Sequence, residues 1–142
     1  MTLHLEIITP EKIVYKEDVD ELIAPTVKGQ ISILTNHIGL LTQIEPGELI
    51  IKKGGREYFI AITGGFLEVK NNNISILADY AVRSEDIEVA KAEQAQKRAE
   101  KIMAEKVSEK DFAIAQSELR RSLLELKVAG RRKHHHSPLP GS

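Results

Sequence analysis

The side chains able to do chemistry are few and scattered. The chain has 142 residues, five histidines and no cysteine, so disulfides, thiolate metal sites and cysteine nucleophiles are excluded. His37 falls in a turn between Ile33-Leu34 and Leu40-Leu41, with no metal partner beside it, and reads by itself as a surface-loop histidine. His134, His135 and His136 are adjacent and could hold a metal only weakly. Residues 131–142, with Pro138 and Pro140, read instead as a disordered extension or a cloning remnant. Gly64-Gly65 lacks the third glycine, the Lys-Ser/Thr pair and the following helix of a phosphate-cradling loop. Its strand context predicts a bulge or a close backbone approach. No Ser/His/Asp set, metal cluster or pair of acids in a cleft emerges, so no catalytic residue, no metal ligand and no cofactor is expected. The densest chemistry is charge. Within residues 117–133, Arg120, Arg121, Lys127, Arg131, Arg132 and Lys133 face only Glu118 and Glu125, a net +4. A basic helix end complements the helix dipole or meets an acidic partner.

Whole-chain figures bound these readings. Apolar residues make up 42% and charged residues 29%, too apolar for a disordered chain. Twenty basic residues against twenty-one acidic ones leave −1, which argues against a protein that grips nucleic acid electrostatically. Residues 1–83 carry eight basic and eleven acidic residues, net −3, and residues 84–133 carry twelve and ten, net +2. No basic segment followed by a long apolar run opens the chain, and no stretch approaches the roughly 20 apolar residues that span a bilayer. A soluble, intracellular type of protein is expected.

The elements that must position these residues change character at Arg83–Ser84. Before that point, short apolar runs are punctuated by Pro10, Pro25, Gly29, Gly39, Pro46-Gly47, Gly54-Gly55, Gly64-Gly65 and Asn71-Asn72-Asn73, as in a sandwich or barrel. Leu3, Leu5 and Ile7 alternate with His4 and Glu6, the period of a half-buried strand. Leu49–Lys53 and Arg56–Thr63 flank a Gly-Gly pair that supplies the positive φ angles of a type I′ hairpin. Phe66–Lys70 and Ile74–Ala78 flank the three asparagines, which tolerate left-handed backbone. After Ser84 there is no Gly or Pro until Gly130. Ser84 is the expected N-cap of a first helix, with Glu85, Asp86 and Glu88 suited to the dipole in its first turn. Ala92, Ala95, Ala99 and Ile102 form one small-residue face. Ser108 begins a second helix with Asp111 in the capping-box position; its stripe is Phe112, Ala115, Leu119, Leu123 and Leu126, ending near Gly130. An antiparallel helical hairpin with so small an interface is expected to be marginal beside a stable β core.

Four blocks, in order and at matching spacing, carry a resemblance. They are Gly29-Gln30-Ile31-Ser32-Ile33-Leu34-Thr35-Asn36-His37, Thr63-Gly64-Gly65-Phe66-Leu67-Glu68-Val69, Ile74-Ser75-Ile76-Leu77-Ala78-Asp79 and Ser84-Glu85-Asp86-Ile87. Over residues 2–129 the chain resembles the ε subunit of the bacterial and chloroplast F-type ATP synthase, called δ in mitochondria. The resemblance implies an α+β fold: an N-terminal antiparallel β-sandwich of about ten strands (1–83), then a C-terminal antiparallel two-helix hairpin (84–130), with 131–142 as a tail. It implies a non-catalytic subunit of the rotating central stalk, coupling proton flow to ATP synthesis. The complex would sit at the cytoplasmic face of the bacterial cell membrane, with membrane association only through its other subunits. The sandwich would bind the γ subunit and the c-ring, and the helices would restrain ATP hydrolysis through β and α subunits.

The resemblance also assigns residues. Gln30, His37, Ile38, Gly39 and Leu40 would contact γ and the c-ring; Gln30 stands where many relatives carry Glu, so a hydrogen bond replaces an ion pair there. Arg120, Arg121 and Lys127 would meet an acidic segment of β. Some bacterial relatives bind ATP through Ile/Leu-Asp-x-x-Arg-Ala at the start of the first helix. Here the stretch reads Ile87-Glu88-Val89-Ala90-Lys91-Ala92, and Lys cannot reproduce the planar contact of Arg. Glu88, Lys91, Arg98 and Arg121 would then form at most a weak regulatory ATP site. The alternative reading is an ATP-sensing module whose hairpin compacts on nucleotide.

Overall fold

A computed structural model describes residues 2–135. Ten strands come first: β1 (Leu3–Ile8), β2 (Ile13–Val19), β3 (Glu21–Thr26), β4 (Gly29–Ile33), β5 (Leu40–Ile44), β6 (Gly47–Lys53), β7 (Arg56–Ile62), β8 (Gly65–Lys70), β9 (Asn73–Ala78) and β10 (Ala81–Arg83). A 3-10 turn over Ser84–Asp86 leads to α1 (Val89–Ala104) and α2 (Glu109–His135). The strands form one sheet in the order β10-β7-β6-β3-β5-β8-β9-β1-β2, with β4 added on β3. Its two ends come face to face, since β2 packs against β6 and β10 without pairing with either. Leu3, Leu5 and Ile7 of β1 meet Leu49, Ile51, Ile60, Leu67 and Ile76 in a single core. At roughly 25 cal/mol per Å² of apolar surface, these large, fully buried side chains supply most of the fold's stability.

The antiparallel expectation needs one correction. β1 pairs with β2 antiparallel but with β9 in parallel, His4 opposite Asn73 and Ile8 opposite Leu77. The sheet is therefore mixed. The long chain segment between β1 and β9 allows this, because a parallel neighbour needs a long connection and not a tight turn.

Both expected hairpins form. Gly54 and Gly55 have φ of 60° and 78°, the left-handed pair a type I′ turn requires. In the second hairpin Asn71 and Asn72 take φ of 51° and 63°, while Asn73 is already in β9 opposite Lys70. The Gly64-Gly65 close approach is internal. A Cβ on Gly65, at φ 149°, would run into the Leu77 carbonyl and come within 2.9 Å of Ala78 Cα.

The helical part starts later than Ser84. Ser84 is buried and heads the 3-10 turn; Ile87, also buried, returns the backbone to extended geometry at φ −73°, ψ 123°. Anchoring Ile87 against Phe59 and Ala61 interrupts the helix, so α1 begins at Val89 with Glu88 as an N-cap that makes no side-chain capping bond. Ser108 does cap α2, accepting a 3.1 Å bond from the Asp111 N–H. Nor does α2 stop near Gly130: it runs to His135, because a helical glycine costs only about 1 kcal/mol and the next proline lies farther on. Of the segment 131–142 read as a tail, residues 131–135 continue α2 and residues 136–142 lie outside the described residues.

Candidate functional site

Two surfaces hold most of the candidate residues. The first is a groove of about 360 Å³ between the helices and the β9–β10 turn. Glu88 and Lys91 from the start of α1, Arg98 two turns beyond Lys91, and Arg121 from α2 all line it. The small face explains the groove: Ala92 and Ala99 of α1 and Ala115 and Ser122 of α2 are buried, and small residues let two axes approach closely. Tyr80 forms the sandwich side. The Arg121 guanidinium lies 3.5 Å from the centroid of the Tyr80 ring, a cation–π contact. The Tyr80 hydroxyl donates to Glu125 Oε2 at 3.3 Å, and Arg121 Nε stands 3.5 Å from Glu125 Oε1. Burial holds the Tyr80 hydroxyl above the usual phenol range, so it stays a donor.

The electrostatics of this groove limit what it can take. Lys91, Arg98 and Arg121 face Asp86, Glu88, Glu118 and Glu125. Three cations against four anions leave no excess of positive charge for a polyphosphate. Lys91 is also paired with Glu88 at 3.1 Å in an exposed contact, worth little.

The second surface is the outer face of the sheet. His37 and Ile38 follow β4 in a loop pinned by Asn36, which takes φ 63° and donates its N–H to Asn72 Oδ1 at 2.7 Å. His37 Nδ1 lies 2.7 Å from the Ile38 carbonyl, so the imidazole is held close to its own backbone. Gln30 is not beside this loop. It pairs with Pro25 next to the β3–β4 turn, at the opposite end of β4. Leu40 is half-buried against the core, and its neighbour Leu41 is the exposed one, at 71%; strand alternation turns one inward and the next outward.

What the sequence reading missed is a row across four strands. Phe66 of β8 stands opposite Leu77 of β9, Leu77 opposite Ile8 of β1, and Ile8 opposite Ile13 of β2. Phe66, Leu77 and Ile13 are each more than half exposed, as are Leu41, opposite Glu68 one strand over, and Ile38, in the loop at the other end of the β8–β9 hairpin. The signal was present as apolar residues at outward positions of alternating strands, but the parallel pairing that lines them up was not readable.

Of the three basic residues proposed to meet β, Arg120 and Lys127 are exposed, two turns apart on one face of α2. Arg121 points instead to Tyr80. Leu123 of the expected stripe is exposed as well. The helix buries two neighbouring strips, and its Leu124, Val128 and Ala129 pack on the sandwich. Among the described residues no group of three or more His, Asp or Glu could hold a metal ion, and no helix is long and apolar enough to cross a membrane.

Comparison with known proteins covers both parts of the chain. Residues 2–84 match the family model "ATP synthase, Delta/Epsilon chain, beta-sandwich domain", and residues 85–130 match "ATP synthase, Delta/Epsilon chain, long alpha-helix domain". The chain is 43% identical over 134 residues to the ATP synthase epsilon chain of Dehalococcoides mccartyi, covering 94% of this chain and 96% of that one. It is 44% identical over 134 residues to that of Herpetosiphon aurantiacus, covering 94% and 98%. Among solved structures it superposes with TM-score 0.71 and 23% identity on a chain of the Euglena gracilis mitochondrial ATP synthase OSCP/F1/c-ring assembly, covering 92% of this chain and 81% of that one. That likeness establishes the shared fold.

Proposed function

The chain belongs to the ATP synthase delta/epsilon family, non-catalytic components of that enzyme, and from this premise we propose that it serves in the central stalk. In this reading the sandwich (1–83) docks on γ and the c-ring and turns with them, coupling proton flow to ATP synthesis. The helices (84–130) restrain hydrolysis by reaching β and α subunits through Arg120, Arg121 and Lys127. The protein is held at the cytoplasmic face of the bacterial cell membrane through the complex alone. The observation that supports the docking is the apolar row Phe66–Leu77–Ile8–Ile13, exposed at every position but the half-buried Ile8. A contiguous apolar stripe on an outer sheet face is the mark of a protein interface; the loop carrying His37, Ile38 and Gly39, beside Asn72 at the other end of the β8–β9 hairpin, would make a second contact, and Gln30, at the far end of β4, a third. Co-expression with a γ subunit and size-exclusion chromatography test this. The two chains co-elute, and Phe66→Glu with Leu77→Glu separates them. Failure of the parent chain to co-elute overturns the stalk reading.

One observation favours the second reading, an ATP-sensing module: Glu88, Lys91, Arg98 and Arg121 line a single groove. Its charge balance and the engagement of Arg121 by Tyr80 make any binding weak. Titration of the free protein with ATP, followed by amide NMR shifts, is expected to move Arg98 and Arg121 only near millimolar ATP. No shift at that concentration ends this reading.

A further inference from the structure

The two helices are not attached to the sandwich equally. α1 packs chiefly on α2, whereas α2 packs on β7, β6 and the 3-10 turn. The contact lies at the last turns of α2: Leu124, Val128 and Ala129 cover Phe59, Ala61, Ile50, Val82 and Ile87. Beyond this apolar patch, Arg131 closes the contact. Its Nη2 donates to Glu48 Oε1 at 2.7 Å and its Nε to Glu48 Oε2 at 3.3 Å, a forked pair. Its guanidinium carbon is also 5.4 Å from the centroid of the Phe59 ring. The Glu48 side chain is only 12% exposed. A carboxylate so covered is held by its partner far more firmly than a surface pair, and losing that partner leaves it short of compensation. Arg131 also lies one residue past the end of the helix match to the family at residue 130.

We infer that Glu48 and Arg131 form a latch that holds the helical hairpin on the sandwich, so that the hairpin opens from the far end of α2 as one body. α1 is then a passenger: its contacts with α2 survive opening, and the tie that must break is the one at residue 131. Arg121 with Tyr80 is a second tie nearer the turn between β9 and β10; its covered carboxylate, Glu125, lies on α2 with Arg121, so only the neutral Tyr80 reaches across from the sandwich, and no ion pair spans the contact there. Opening uncovers the apolar patch around Phe59 and Ala61. The inference concerns the free chain and stands whichever way the helices act in a complex.

The chain contains no cysteine, so paired spin labels at Arg56→Cys and Lys110→Cys report the sandwich-to-hairpin distance without background. The parent chain should give one dominant distance population, and opening adds a second, displaced one that appears as the longer-distance component. Glu48→Ala and Arg131→Ala should each raise the long-distance population about tenfold, as removing one member of a strong charge pair does. The double variant should also open about tenfold, not the roughly hundredfold that independent contributions would multiply to. Lys101→Gln, a charge change on the exposed face of α1, should leave the distances unchanged. Near-ultraviolet and far-ultraviolet circular dichroism verify that each variant keeps its sandwich. Unchanged populations in the single variants, multiplicative effects in the double, or an equal response to Lys101→Gln each overturn the latch.

Discussion

With its guanidinium 3.5 Å above the Tyr80 ring and its Nε beside Glu125, Arg121 cannot at the same time reach a carboxylate on another subunit. Its contact with Tyr80 and any contact with β are therefore alternatives. Gly65 illustrates a different constraint at the same scale. Its φ of 149° is unfavourable for any L side chain, and a Cβ there would meet the backbone of Leu77 and Ala78. Gly55 also has positive φ, 78°, but nothing lies within 4 Å of its Cβ position. Gly65→Ala should therefore lower stability by about 3 kcal/mol or more, and Gly55→Ala by about 1 kcal/mol. Urea denaturation of both variants checks the ordering; equal losses would mean that the β8–β9 approach is not what Gly65 serves. Motif comparison found Gly65, but not its neighbour. The contact is made by backbone atoms of Leu77 and Ala78, which carry no sequence signature.

Among the elements, α2 does the most with its surface. One strip faces α1, the next covers β6 and β7, and the exposed remainder carries Arg120 and Lys127. A helix that buries two strips has a broad apolar arc, which is why Leu123 could be assigned inward from spacing and yet be exposed. Spacing gives the period and leaves the phase to the partner. The strands were more legible. Leu3, Leu5 and Ile7 alternate as read and are fully buried, and the Gly-Gly and Asn-Asn turns fix their hairpins because few residues tolerate that backbone. The exposed strip of α2 bears directly on hydrolysis. Reversing both charges, Arg120→Glu with Lys127→Glu, turns attraction to an acidic partner into repulsion, about 1–2 kcal/mol in all. ATP hydrolysis by a complex reconstituted with this variant should rise about tenfold over one with the parent chain. Unchanged hydrolysis would count against contact through this strip.

At the scale of the whole molecule, the near-neutral total hides a division between an acidic sandwich and a basic helical part. The Glu48–Arg131 and Lys53–Glu17 pairs show the sign of the sandwich at work: acids on β6 and β2 receive cations from α2 and from the end of β6. The hydrogen bond from Lys53 holds Glu17 below the ordinary carboxylate range. Its contribution to stability is thus present above that range and fades as pH falls through the lowered value. The parallel pairing of β1 with β9 carries a consequence for synthesis. During translation the first strand leaves the ribosome with β2 as a hairpin partner and nothing on its other side. Its second neighbour, starting at Asn73, exists only after more than half the chain has been made. The sandwich cannot close co-translationally strand by strand; it must wait with an apolar edge open, and non-local closure of this kind is slow. A ribosome pausing before β9 would therefore hold the nascent chain at its most aggregation-prone length.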